Sequence, residues 1–138
     1  MHSDITLISV GLVNNELGII QPIDEIMQVV EAERERRRAA GESSPLYVHC
    51  DASQGLSLLD IKPKRMGIDL LTLSAAKVYG PKQVGLLWMR PGVTVSARIA
   101  GGGQEGGLRS GTENVAGVVG FAAAVELAAK RRSGEIKR

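Results

Sequence analysis

Residues 5–16, ITLISVGLVNNE, decide the fold. From Ile5 to Val13 the run is β-branched with little polar interruption, and it stops at Asn14-Asn15-Glu16. That pattern predicts a strand buried on both faces of a parallel sheet, ending in a loop. Working outward, Pro22 and Asp24 open a helix whose apolar stripe is Ile23, Ile26, Met27 and Val30, one face of a 3.6-residue period. The stripe gives way to EAERERRRAAGESS, which predicts a solvated helical extension closed by Gly41 as a C-cap.

Further along, Leu46 to Cys50 (LYVHC) and Leu70 to Ser74 (LLTLS) predict two short strands, separated by a segment with Pro63 and Gly67 that holds only a brief turn or helix. The run VGLLWM after Gly80-Pro81 predicts another strand. A last helix is predicted from about Glu113 to Arg131, with a stripe of Val115, Val118, Val119, Ala122, Val125 and Ala129. Strands of buried type alternating with helices mean an α/β fold with a mostly parallel sheet, in which ligands gather at the carboxyl ends of the strands. Those ends are Asn14-Asn15, Asp51 and Ser74 to Lys77.

The 138 residues carry 17 Lys+Arg against 15 Asp+Glu, a net charge of +2, and 43% hydrophobic residues, which suits one ordinary globular domain. A single Cys excludes a disulfide framework. No apolar run approaches the roughly 20 residues of a membrane helix, and the start has neither a basic n-region nor a cleavage site, so no membrane partner and a cytoplasmic location are expected. A basic tail is expected over about 130–138, but interspersed Glu cancels the basic runs and no nucleic-acid partner is expected. His2 and His49 form no ligand cluster, so no metal is expected.

Polar residues converge on the strand ends: Asn15 after the first strand, Asp51 and Gln54 after the second, Ser74 and Lys77 after the third. A carboxylate and a lysine on neighbouring strand ends suit pyridoxal phosphate, which takes a lysine as covalent anchor and an Asp on its pyridinium nitrogen.

The second element is GGGQEGGLRSGT, residues 101–112, half of them Gly. It contains G-x-G-x-x-G at Gly101, Gly103 and Gly106, but the acidic residue about 20 positions on, Glu126, falls inside a helix pattern, which argues against a dinucleotide fingerprint. No G-x-x-x-x-G-K-[ST] is present. Ser110 and Glu113 have capping-box spacing, and Arg109, Ser110 and Thr112 crowd an expected helix N-terminus that offers amide donors to a phosphate.

VNNELGIIQPI (13–23), VHCDASQG (48–55), SAAKVYGPKQVGLLWMRPG (74–92) and GGGQEGGLRSGTENVAGVVGF (101–121), in this order and spacing, closely resemble the large domain of the cysteine desulfurases and selenocysteine lyases, of the class V aminotransferase fold. The resemblance implies Lys77 as the Schiff-base lysine, Asp51 on the pyridine nitrogen, Asn15 and Gln54 near the ring oxygen, and Ser74 on the phosphate. It implies that Thr112 reaches the phosphate of a neighbouring subunit, hence a homodimer or a complementing chain.

Three departures stand out. Ala76 replaces the family's usual His before the lysine, and Gly106 stands where many relatives have Arg. Relatives are also much longer, with a phosphate-binding Thr, a ring-stacking His and a nucleophilic Cys in regions that this chain does not contain. Residues 1–138 are therefore expected to form a single, incomplete large domain. Cys50 cannot inherit the nucleophile's role, because strand alternation turns it away from the face that Asp51 serves.

The expected function is that of a cysteine desulfurase: sulfur removal from L-cysteine or a similar amino acid to a persulfide, for iron-sulfur cluster or other sulfur biosynthesis, with a sulfur acceptor protein as a further partner. The chain alone is expected to be inactive. Transamination or another lyase reaction on the same fold, and a non-catalytic remnant acting as an interaction protein, are the competing expectations.

Overall fold

In the computed structural model, which describes residue 2 and residues 4–137, the chain runs β1 (Leu7–Gly11), α1 (Ile23–Ala39), β2 (Tyr47–Asp51), α2 (Pro63–Met66), β3 (Leu70–Ser74), β4 (Gly85–Met89) and α3 (Val115–Glu135). The strands form one sheet in the order β1-β2-β3-β4. β1, β2 and β3 are parallel, with Ser9 opposite His49 and Asp51 opposite Thr72. β4 returns antiparallel and sets Gly85 beside Ser74. The mostly parallel α/β architecture is the one expected.

One face of the sheet packs on α1. Ile23, Met27 and Val30 bury against Val48, Cys50 and Leu71, with Ile8 and Val10 beside them. The opposite face is partly open. Leu7 of β1 and Leu87 of β4 are each 51% exposed. The expectation of a first strand buried on both faces is thus corrected: α1 covers only the side of Ile8 and Val10, and β1, at one edge of the sheet, is open on the other.

Gly41 ends α1 as expected, taking φ of 70° while the Glu42 N–H bonds back to the Arg37 carbonyl at 2.9 Å. The helix extension is not simply solvated, however. Glu33 and Arg37 are buried and paired, Arg37 Nε donating to Glu33 Oε1 at 2.8 Å. The Arg37 guanidinium also donates to the carbonyls of Ile5 and His2 at 2.9 and 3.0 Å, so this face ties α1 to the chain that enters β1. Arg36 adds a second bond to Glu33 at 2.9 Å, and the two guanidinium partners pull the Glu33 carboxyl down to about 2.

At the amino end of β3 lies Asp69, with no solvent exposure. One carboxylate oxygen accepts from the Val48 N–H at 2.7 Å and from Arg34 Nη2 at 2.5 Å, and the other pairs with Arg90. This one side chain joins α1, β2, β3 and the end of β4.

α3 packs through a face that shares only Val125 with the expected stripe. Val115, Val118 and Val119 are exposed, whereas Gly117 and Phe121 are buried, with Ala124, Val125 and Ala128 alongside. A Cβ on Gly117 would stand 2.6 Å from Val84 Cγ2, and one on Gly120 would stand 2.7 Å from Pro81 Cγ, so the glycines permit the close approach of helix and loop. The expected capping box is also absent. The helix begins at Val115, two residues later than expected, and its cap is Asn114, whose Oδ1 accepts from the Gly117 N–H at 2.9 Å. α3 runs on to Glu135, so much of the basic terminal stretch is helical, and Arg132 reaches Asp60 at 3.2 Å; Arg138 lies outside the described residues.

Candidate active site

The carboxyl ends of the three parallel strands deliver their residues to one edge. After β1 the chain doubles back, Val13 bridging Ile20. Asn14 Oδ1 organises this turn by accepting from the N–H groups of Glu16 and Leu17 at 2.9 and 2.8 Å, and Asn15 sits exposed at its tip. Asp51 closes β2. Its Oδ1 accepts from the Ser53 N–H at 3.0 Å, an Asx turn that aims the carboxylate outward, and Gln54 follows half-buried.

Ser74 closes β3, and Lys77 lies exposed in the 3₁₀ turn Ala75–Val78. Ala75 and Val78 anchor that turn against Phe121, fixing the backbone that presents Lys77. Tyr79 follows with φ of 59° and is 99% exposed.

Asp51, Gln54, Ser74 and Lys77 therefore share the edge at β2 and β3, and Asn15 joins them from β1, whose last residue Gly11 is opposite Asp51. Thr112 stands on an exposed segment before α3, and among the described residues no hydrogen bond ties it to the other five. Ala76, where a His was expected by resemblance, is exposed beside Lys77.

The glycine-rich segment is internally tied. Ser110 Oγ accepts from the Gly103 N–H at 3.2 Å, Gln104 Oε1 accepts from the Gly111 N–H at 3.0 Å, and Arg109 Nη1 donates to the Ser110 carbonyl at 2.9 Å. Ser110 thus caps the loop rather than a helix.

Cys50 and Asp51 diverge as strand alternation requires. Cys50 has no solvent exposure and lies in the α1 cluster. Burial pushes its thiol up to about 11, and the neighbouring Asp51 charge adds to the rise.

His49 is hydrogen-bonded within the sheet at both ring nitrogens: its Nδ1 is 2.8 Å from Ser9 Oγ and its Nε2 is 2.7 Å from Thr72 Oγ1. The row itself was missed. Its signal was the shared parity of His49 and Asp51 on β2, which sets both on one face. Among the described residues no group of His, Cys, Asp and Glu could hold a metal ion, and no helix is long and apolar enough to cross a membrane.

The profile of the family described as Aminotransferase class-V matches residues 1–138. Cysteine desulfurase IscS 1 of Archaeoglobus fulgidus is 44% identical over 138 residues, which is 100% of this chain and 33% of that protein. The solved structure of a NifS-like protein superposes with a TM-score of 0.87 at 37% identity, covering 99% of this chain and 35% of that one. The structure of SspA in complex with cysteine superposes with a TM-score of 0.79 at 40% identity, covering 91% and 34% of the two chains. The chain thus spans about a third of the length of the relatives it matches.

Proposed function

The chain belongs to the class V aminotransferase family, and from that membership we propose that it is the cofactor-holding part of a pyridoxal-phosphate-dependent cysteine desulfurase. Residues 1–138 act as one incomplete large domain, and the activity is that of the whole assembly. The placement of Asp51, Ser74 and Lys77 on the adjacent carboxyl ends of β2 and β3 supports this most directly.

The donor set fits the cofactor. An outward carboxylate suits a protonated pyridine nitrogen, an exposed primary amine suits the aldehyde carbon, and the Ser74 hydroxyl suits a phosphate oxygen. When bound, the cofactor supplies an electron sink for charge developing at the substrate's α-carbon. Asp51 holds the ring nitrogen protonated. Lys77 Nζ anchors the cofactor and takes and returns the proton at the substrate's α-carbon. Asn15 and Gln54 donate toward the ring oxygen. Thr112, on its exposed segment, serves the phosphate of a second subunit.

The substrate is L-cysteine, in keeping with the cysteine bound to SspA at 40% identity. The thiol that accepts its sulfur comes from outside these residues, because Cys50 is buried on the other face of the sheet. As the substrate's C–S bond breaks, that thiol becomes a persulfide, and a thiol of an acceptor protein then takes its outer sulfur and returns the first thiol.

Incubation with pyridoxal phosphate, borohydride reduction and peptide mapping should label Lys77 and lose that label in Lys77→Ala. Labelling spread evenly over the other lysines refutes the assignment. Sulfide release with cysteine and reductant should rise above the free-cofactor background only when a Cys-bearing partner chain is added. Turnover of another amino acid in place of cysteine would assign the site to a different member of the family.

A further inference from the structure

On the open face of the sheet, Ser9, His49 and Thr72 form a continuous row across β1, β2 and β3, with the His49 ring bonded at both nitrogens, 2.8 Å to Ser9 and 2.7 Å to Thr72. A strand face of this kind ordinarily favours β-branched or aromatic residues. An imidazole satisfied on both sides instead gives directional links between the strands, which apolar contacts do not. The row ends next to Asp51. Thr72 is opposite Asp51 in register, and its carbonyl accepts from the Ala52 N–H at 3.0 Å, while the Asp51 carbonyl accepts from the Leu12 N–H at 2.8 Å.

We infer that His49 is a positioning residue: the Ser9–His49–Thr72 row sets the lateral placement of the three strand ends and thereby the direction of the Asp51 carboxylate. Given the function proposed above, on which this inference rests, that carboxylate must meet a ring nitrogen. Such a constellation works only when held to within about 0.5 Å by side chains that are themselves locked. Backbone ladder bonds run as far as the Leu12 and Ala52 amides and fix the spacing of β1, β2 and β3, but they supply no side-chain link between the strands. The side-chain row acts one step before that point, at Ser9, His49 and Thr72, and Gly11, Asp51 and Ser74 follow two residues later on the same face.

The test uses Thr72→Val, which is isosteric but lacks the hydroxyl, Thr72→Ser, which keeps it, and His49→Phe, all in the full chain. The first measurement needs no cofactor. Hydrogen exchange at the Leu12 and Ala52 amides should quicken by about 3- to 10-fold in Thr72→Val and His49→Phe and stay near wild type in Thr72→Ser. Should His49→Phe not fold, the Val and Ser variants at 72 decide alone. The second measurement is titration with pyridoxal phosphate, where Thr72→Val should weaken binding by about 10-fold and move the absorbance band of the bound cofactor, with Thr72→Ser restoring both.

Unchanged exchange in a folded Thr72→Val chain overturns the inference. So does an unchanged band and affinity where the wild type binds cofactor. If exchange responds but the wild-type chain binds no pyridoxal phosphate, the proposed function fails while the positioning of Asp51 by His49 stands.

Discussion

Cys50 and Asp51 are consecutive in β2 and face opposite sides of the sheet, the thiol sealed against α1 and the carboxylate outward at the strand end. Because the thiol lies at about 11 rather than 9.0, its thiolate fraction at pH 8 falls by about 100-fold. Alkylation by iodoacetamide at pH 8, followed by mass spectrometry, should be at least that much slower in the folded chain than in urea. Sulfide release by Cys50→Ala should equal that of the wild-type chain. Release above the cofactor background that disappears in Cys50→Ala would make Cys50 the nucleophile after all.

Asp69 joins Arg34, Arg90 and the Val48 N–H from a position with no solvent exposure. Asp69→Ala leaves the half-buried Arg34 and a buried amide without this partner, and should cost about 3–5 kcal/mol of unfolding free energy in urea titrations. Glu31→Ala, which removes only an exposed partner of Arg34, should cost less than about 0.5 kcal/mol.

The Glu33 carboxyl is held at about 2 against an ordinary 4.5 by Arg36 and Arg37. A carboxyl with a lowered native pKa contributes stability that is complete above its unfolded value and is lost as pH falls through the native one. The urea midpoint should therefore drop between about pH 4.5 and 2. Glu33→Gln should lower the midpoint at neutral pH and flatten this acid dependence. An equal acid slope in both proteins would assign the loss to other carboxyls.

A side chain at Gly117 would run into Val84, 2.6 Å from its Cγ2. Gly117→Val should destabilise the chain by about 1–3 kcal/mol by overpacking. Val118→Ala, on the exposed side, should change stability by less than about 0.5 kcal/mol. Reversed magnitudes would restore the valine stripe as the buried face.

The strands were legible in the sequence because their signals are local: β3 is the LLTLS run itself, and β2 differs from LYVHC by one residue at each end. The cluster at the strand ends followed from the same signals, since parallel strands bring their carboxyl ends together. α3 was legible as a helix but not as a face. VAGVVGFAAAVELAA is apolar on most sides, so periodicity selects no single stripe, and the close contacts of Gly117 and Gly120 with Val84 and Pro81 decide which side is covered. Glu33 and Arg37 read as solvated charges for a similar reason: the carbonyls of His2 and Ile5 that receive Arg37 are far away in sequence.

The sequence by itself determined the α/β class, the parallel strand ends, the Gly41 stop, the opposed faces of Cys50 and Asp51 and the convergence of Asp51, Ser74 and Lys77, because each depends on strand alternation, backbone conformation or strand direction. Only the tertiary structure decided that β1 is an outer strand, which side of α3 is buried, that Asp69 links four elements, and that Ser9, His49 and Thr72 meet. Those are matters of which neighbour arrives at a given face. A hydrogen bond between residues 40 positions apart, such as Ser9 to His49, exists only once the strands have paired in register.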